Sequence, residues 1–170
     1  MAAGQEVLLV SRHPEEWHSR FVSLQSRIRT IVPGAAIEHI GSTAVVGMPA
    51  KDVVDLLVGV DFSMVATVAE ALRDAEWDLE GFRAGHAWLS MPDRGARTAV
   101  VHVVEHGGAQ WRDRVAFRDL LRRSADARQR YLRAKMEAAQ ESAGWGEYTA
   151  AKAATVASLL EGCRGRGEQT

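Results

Sequence analysis

Residues Val53-Val54-Asp55-Leu56-Leu57-Val58-Gly59-Val60 form an almost unbroken apolar run, rich in branched side chains and broken by one acid. A strand with one wet face alternates apolar and polar residues, whereas a run that is apolar at both parities must be covered on both faces. The segment therefore predicts a central strand with other layers packed above and below it. Asp55 interrupts that pattern. An unpaired buried carboxylate is costly, so Asp55 is expected to have a partner, a metal ion or a catalytic use. Asp52, at the start of the run, is expected to be solvated.

The chain just before this strand reads Ile37-Glu38-His39-Ile40-Gly41-Ser42-Thr43. A short strand over 36–40 enters a turn at 41–43, and a loop over 44–51, with Gly47 and Pro49, leads to Lys51. Gly41 lets a ligand approach the backbone and tolerates the φ values of a tight turn. Ser42 and Thr43 add hydroxyls to the amides of such a turn, a nest suited to a phosphate or other anion. Asp55 on the adjacent strand suits a metal ion or a hydroxyl. The alternative is a Gly-Ser turn ahead of an ordinary buried strand, which would carry the same residues.

The remaining segments supply the covering layers. An edge strand is expected over 7–10. Pro14, with Glu15 and Glu16 behind it, opens a helix whose stripe is Trp17, Phe21, Leu24, Ile28 and Ile31, stopped by Pro33-Gly34. Asp61 is placed to cap a second helix with Phe62, Val65, Ala69 and Leu72 inward. Strands are expected over 77–83, 84–90 and 98–105, the last two joined as a hairpin through Pro92-Asp93-Arg94-Gly95. His102 shares a face with Val100 and Val104, and Glu105 lies on the other. After His106-Gly107-Gly108 the pattern turns helical. Phe117, Leu120 and Leu121 line one helix, and Ala127, Tyr131, Ala134 and Ala138 the next. Beyond Gly144-Trp145-Gly146, a third has Ala150, Ala153, Ala157 and Leu160 inward. Tyr148 and Lys152, four apart, are neighbours on it. The order of elements gives an α/β (α+β) fold, a small mixed sheet flanked by helices with a helical C-terminal half.

At 170 residues, with 46% hydrophobic and 25% charged side chains, the chain is read as one domain over 1–170, its core over about 10–162. No apolar run approaches the roughly 18 residues of a membrane span, and no secretory pattern opens the chain. The single cysteine, Cys163, excludes an internal disulfide and a cysteine-based zinc site. Cytoplasmic residence is the expectation. Up to residue 111 nine Lys/Arg face fourteen Asp/Glu; beyond it twelve face eight. That basic half suits phosphates or acidic small molecules. Its charges alternate with acids and few aromatics accompany them, which argues against nucleic acid as a partner.

Several spaced blocks resemble the signature of the GrpB family. They are His39-Ile40-Gly41-Ser42-Thr43-Ala44-Val45-Val46-Gly47-Met48-Pro49-Ala50-Lys51 with Val54-Asp55-Leu56, then Val101-His102-Val103-Val104, and Trp111. Phe117-Arg118-Asp119-Leu120-Leu121, Tyr131 with Lys135, and Tyr148-Thr149-Ala150-Ala151-Lys152 complete the set. The resemblance implies a nucleotidyltransferase-like fold, in which a glycine-serine turn meets a mixed sheet carrying acids. The family also occurs fused to dephospho-CoA kinases, and its own activity is largely undefined.

The nucleotidyltransferase pattern sets two acids two residues apart on the strand after Gly-Ser and a third on a later strand, which together hold magnesium ions against a triphosphate. Asp55 matches the second acid, but Val53 stands at the first. Asp52 is one residue off and points to the opposite face. The later position falls to His102 or Glu105. Three readings follow. A transferase or ligase would use Asp55 on one divalent metal, Mg or Mn, with Ser42 and Lys51 on the phosphates of a nucleotide such as ATP. A second places metal binding or proton transfer on His39, Asp55 and His102. The third is a binding module without chemistry for a nucleotide, a coenzyme A fragment or a small acid. Arg118 and Lys152 are further ligand-binding candidates, with internal ion pairing as the alternative for each.

Overall fold

The computed structural model describes residues 9, 10, 14–141 and 145–167, with side chains for all of these except 141, 145, 146, 148, 151 and 163–167. The elements are α1 (Pro14–Ile31), β1 (Ala36–Ile40), β2 (Val54–Val60), α2 (Val65–Asp74), β3 (Asp78–Arg83), β4 (His86–Met91), β5 (Ala99–Glu105), α3 (Ala109–Arg123), α4 (Ala125–Glu141) and α5 (Trp145–Gly167). The strands form one sheet in the order β1-β2-β5-β4-β3. Strands β2 and β5 run parallel, and every other neighbouring pair is antiparallel.

The doubly apolar run over 53–60 does become an interior strand. Its two parities meet different layers. Val54, Leu56 and Val58 pack with Trp17, Phe21, Leu24 and Ile28 of α1 and Val65, Val68 and Leu72 of α2. Full burial of such side chains stabilises by about 1.5–3 kcal/mol each, which makes this face the main core. Asp55, Leu57 and Gly59 point the other way. Leu57 packs with Ile40 and Val104 under Trp111 and Val115 of α3. Gly59 leaves the space that the Trp111 ring fills, since a β-carbon there would stand 2.6 Å from it. Helices α4 and α5 pack on α3 and on Val45 and Met48, in the loop after the glycine-serine turn. The mixed sheet, its flanking helices and the helical C-terminal half are thus as expected.

Several local expectations differ. Val7 and Leu8 lie outside the described residues, and Val10 makes a single antiparallel bridge to Ala50. Asp61 makes no side-chain cap. A 3-10 turn, Phe62–Met64, precedes α2 and rotates Phe62 outward, 62% exposed, against Gly85. On α5 the alanines at 150, 153 and 157 are exposed, and Leu159 is the buried residue, with Val156 and Leu160 beside it. A methyl group has little area to bury, so the longer side chains set the helix rotation. Among the described residues no helix is long and apolar enough to cross a membrane.

Candidate functional site

Strand β1 ends with Ile40 directly opposite Asp55 in the antiparallel register. Gly41 then turns the chain at φ 73°, into a 3-10 turn at Ser42–Ala44. A β-carbon on Gly41 would stand 2.6 Å from Asp55 Oδ2. Glycine is required here twice over, for its φ and for the space the carboxylate occupies.

Ser42 and Thr43 part company at this turn. Thr43 Oγ1 lies 2.9 Å from His39 Nε2, and the His39 ring stacks on Phe21 of α1 with centroids 4.8 Å apart. His39 pairs with Leu56, a residue of the α1 face. Strand alternation therefore sets His39 on the far side of the sheet from Asp55, and the expected grouping of His39 with Asp55 and His102 does not form. Burial, helped by the charges of Arg122, His18 and Arg118, lowers the His39 pKa to about 4. Near neutral pH it is an uncharged packing residue that holds the turn.

Ser42 faces the site through a residue outside the expected set. Lys135 of α4, 2% exposed, donates from Nζ to Ser42 Oγ at 2.9 Å and to the Pro49 carbonyl at 2.7 Å. It joins the turn to the end of the following loop. Lys135 and Lys152 both lie over the Tyr131 ring, at 5.6 and 6.0 Å from its centroid, within cation–π range. Lys51, with its Nζ buried, is the third lysine whose charge acts on Asp55, beside Lys135 and Lys152.

The electrostatics of the group are mutual. Burial raises the Asp55 pKa to about 6, against the charges of Lys152, Lys51, Lys135 and Arg114, which pull it down. Some 31% of the Asp55 side chain stays accessible, so dehydration of the carboxylate is incomplete. Burial lowers Lys51 and Lys135 to about 7, and the Lys152 charge adds to the fall in each. Asp55 opposes that fall.

His102 shares the Asp55 face, because the parallel register sets it beside Leu57, with Nε2 3.9 Å from Asp55 Oδ1. Its Nδ1 lies 3.0 Å from Nε2 of His86 on β4, a partner the sequence did not reveal. Burial, then the Arg114 charge, lowers His86 to about 4 and His102 well below its ordinary value. Both imidazoles are uncharged near pH 7. Arg114, on α3, is a third unforeseen member, and its own hydrogen bonds run to Gln110.

The donor set does not fit a pair of magnesium ions. Val53, at the position of the first acid, is 8% exposed. Asp52 is not simply solvated; it accepts from Trp17 Nε1 at 3.0 Å and Arg20 Nη1 at 3.1 Å, on the α1 side. Glu105 is exposed. Among the described residues no three His, Cys, Asp or Glu side chains converge as a metal cage. What surrounds Asp55 is cationic. Arg118 also stands apart from this group. It donates from Nη1 to Glu38 Oε2 (2.5 Å) and the His39 carbonyl (3.1 Å), and from Nε to Asp119 Oδ1 (2.9 Å), clamping α3 to β1. The Tyr148 side chain lies outside the described residues.

Comparisons place this geometry among known proteins. The family model described as GrpB protein matches residues 7–162. A UPF0157 protein of Deinococcus radiodurans is 48% identical over 154 residues, spanning 90% of this chain and 80% of that protein. The glutamate-rich protein GrpB of Alkalihalophilus pseudofirmus is 33% identical over 134 residues, 68% of this chain and 71% of that protein. The crystal structure of the conserved protein GrpB from Enterococcus faecalis superposes with a TM-score of 0.74 at 24% identity, over 91% of this chain and 98% of that one. The Cid1 poly(U) polymerase with MgGTP bound superposes with a TM-score of 0.54 at 16% identity, over 76% of this chain and 43% of that one. These two structural likenesses speak to fold alone.

Proposed function

This chain is a member of the GrpB family with a nucleotidyltransferase-like fold, and from that premise we propose that it binds a phosphorylated small molecule, a nucleotide among the candidates, beside Asp55. The observation that carries the reading is the gathering of Lys51, Lys135, Lys152 and Arg114 around one carboxylate next to Ser42. Like charges drawn together repel one another, and a site that tolerates this is suited to an anion that relieves it. Lysines serve phosphate oxygens as mobile point charges. In this reading the protein works in the cytoplasm, where such metabolites are held.

Transfer or ligation is the second reading, and the Asp55 pKa of about 6 favours it. A carboxylate that titrates close to neutral pH is suited to accept the proton of an attacking hydroxyl, while the cations stabilise charge on the departing phosphate. Without that step, the same pocket is a binding module for a nucleotide, a coenzyme A fragment or a small acid. Neither version uses His39, Thr43 or Arg118 on the ligand.

A thermal-shift screen against ATP, coenzyme A and inorganic pyrophosphate tests the proposal. A ligand present at a hundred times its dissociation constant adds about 2.7 kcal/mol. The expected result is a rise in Tm with at least one of the three that is lost in Lys135→Met. No shift with any of them, or a shift that Lys135→Met and Lys51→Met leave intact, would overturn it.

A further inference from the structure

We infer that lysine ammonium groups stand where the metal ions of this fold would stand, so that the pocket receives a phosphate or diphosphate group without a divalent cation. The inference rests on the phosphate-binding reading above and goes beyond it, because it sets this site against the metal-dependent chemistry the fold suggests.

Three observations carry it. First, the position two residues before Asp55 holds Val53, a buried hydrocarbon side chain with no atom to offer a metal. The acid that is present nearby, Asp52, is held on the opposite side of the sheet by Trp17 and Arg20. Second, the surroundings of the remaining carboxylate are built from cations in fixed places. Lys135 is anchored on Ser42 Oγ and the Pro49 carbonyl, and it shares the Tyr131 ring with Lys152. Ser42 adjoins Gly41, whose α-carbon abuts the Asp55 carboxylate. This contact chain leads from the Asp55 carboxylate to both ammonium groups. Third, the charge count is wrong for a metal. Lys51, Lys135, Lys152 and Arg114 act on Asp55 together. A divalent cation would enter against them with one ionised carboxylate in its favour, whereas a diphosphate would meet opposite charge on several sides.

His102 does not reverse this balance. Its Nδ1 faces His86 Nε2, so the two rings engage each other. Nε2 stands 3.9 Å from Asp55 Oδ1, which gives at most a bidentate edge rather than a cage. Ammonium groups also differ from metal ions in being proton-dependent. An anion among Lys51 and Lys135 would restore the protons that burial makes them give up.

The test is isothermal titration of the full chain with inorganic pyrophosphate and with ATP, once in EDTA and once in excess magnesium. Wild type and Asp55→Asn are compared. Binding is expected in EDTA and is expected to weaken severalfold in magnesium, because the metal and the lysines compete for the same oxygens. Asp55→Asn should tighten binding severalfold at pH 7, where the carboxylate is ionised and the lysines still hold much of their charge, since it removes a negative charge from an anion site. Binding that appears only with magnesium, or that vanishes in Asp55→Asn, overturns the inference and leaves a phosphate pocket of the ordinary metal-dependent kind. Manganese bound at Asp55 without any phosphate, seen by electron paramagnetic resonance and lost in Asp55→Asn, would overturn it equally. No binding of either anion under either condition would overturn both this inference and the reading it rests on.

Discussion

The carboxylate of Asp55 lies against the α-carbon of Gly41, so close that a β-carbon on residue 41 would stand 2.6 Å from Oδ2. The contact joins the end of β1 to the second residue of β2, which are paired in register one residue earlier, at Ile40 and Asp55. Gly41→Ala is expected to lower stability by about 2–4 kcal/mol, from the positive φ and from the displaced carboxylate together. Chemical denaturation measures it. A loss under 0.5 kcal/mol would mean that the turn and Asp55 are not so tightly fitted.

Asp55 carries a stability signature of its own. Its pKa is raised in the fold, from 3.8 to about 6. Between those values the folded chain holds a proton that the unfolded chain has released, so stability falls as pH rises through that window and stays low above it. Asp55→Asn removes the dependence. The variant should match wild type near pH 4 and exceed it near pH 7.5 by about 1–3 kcal/mol, a Tm rise of a few degrees. Thermal melts of both proteins across that range check the sign, which would be reversed if Asp55 were a stabilising ion-pair partner.

The buried lysines bend the curve the opposite way. Lys51 and Lys135 are lowered to about 7 in the fold, from 10.5. From pH 7 upward the unfolded chain holds protons the folded chain has lost, so these two groups make stability rise with pH until the unfolded lysines also titrate. Lys135→Met should reduce that slope by up to about 1 kcal/mol per pH unit between pH 7.5 and 9.5. Urea denaturation at several pH values provides the comparison. Equal slopes in the two proteins would place the Lys135 ammonium in a wetter environment than its contacts with Ser42 and Pro49 indicate.

His39 belongs to the packing and not to the site. His39→Ala removes the stack on Phe21 and the bond to Thr43, at an expected cost of about 2–4 kcal/mol. Below the variant's melting range, its pyrophosphate affinity should be within twofold of wild type. A selective loss of affinity with stability intact would return His39 to the ligand.

Much of this could be read from the chain because it depends on local periodicity. The two apolar parities over 53–60 required cover on both faces, and α1 and α3 supply it. Alternation alone separated Asp52 from Asp55, whereas placing His102 on the Asp55 face takes the parallel register of β2 with β5. The same rule applied to β1 would have turned His39 away, but that needs the pairing of Ile40 with Asp55, a register that no single segment states. The inner row expected on α4, Ala127, Tyr131, Ala134 and Ala138, passed over Lys135, which is buried where Ala134 is only partly so, and its contact with Ser42, 93 residues away, was beyond spacing altogether. His86 and Arg114 depend on how β4 and α3 dock beside β5, which is set by tertiary packing. The inward face of α5 was misplaced because alanine spacing is a weak guide where Val156 and Leu159 bury more surface.

The measurement that tests the central claim most directly is proton linkage on binding, by calorimetric titration of ATP at pH 7 in two buffers of different ionisation enthalpy. Burial brings Lys51 and Lys135 down to about 7 and Asp55 up to about 6. A phosphate set among them raises all three values, so the account predicts net uptake of about 0.5–1 proton, reduced in Lys135→Met. Binding with no proton exchange, or with proton release, would contradict a phosphate seated on these lysines.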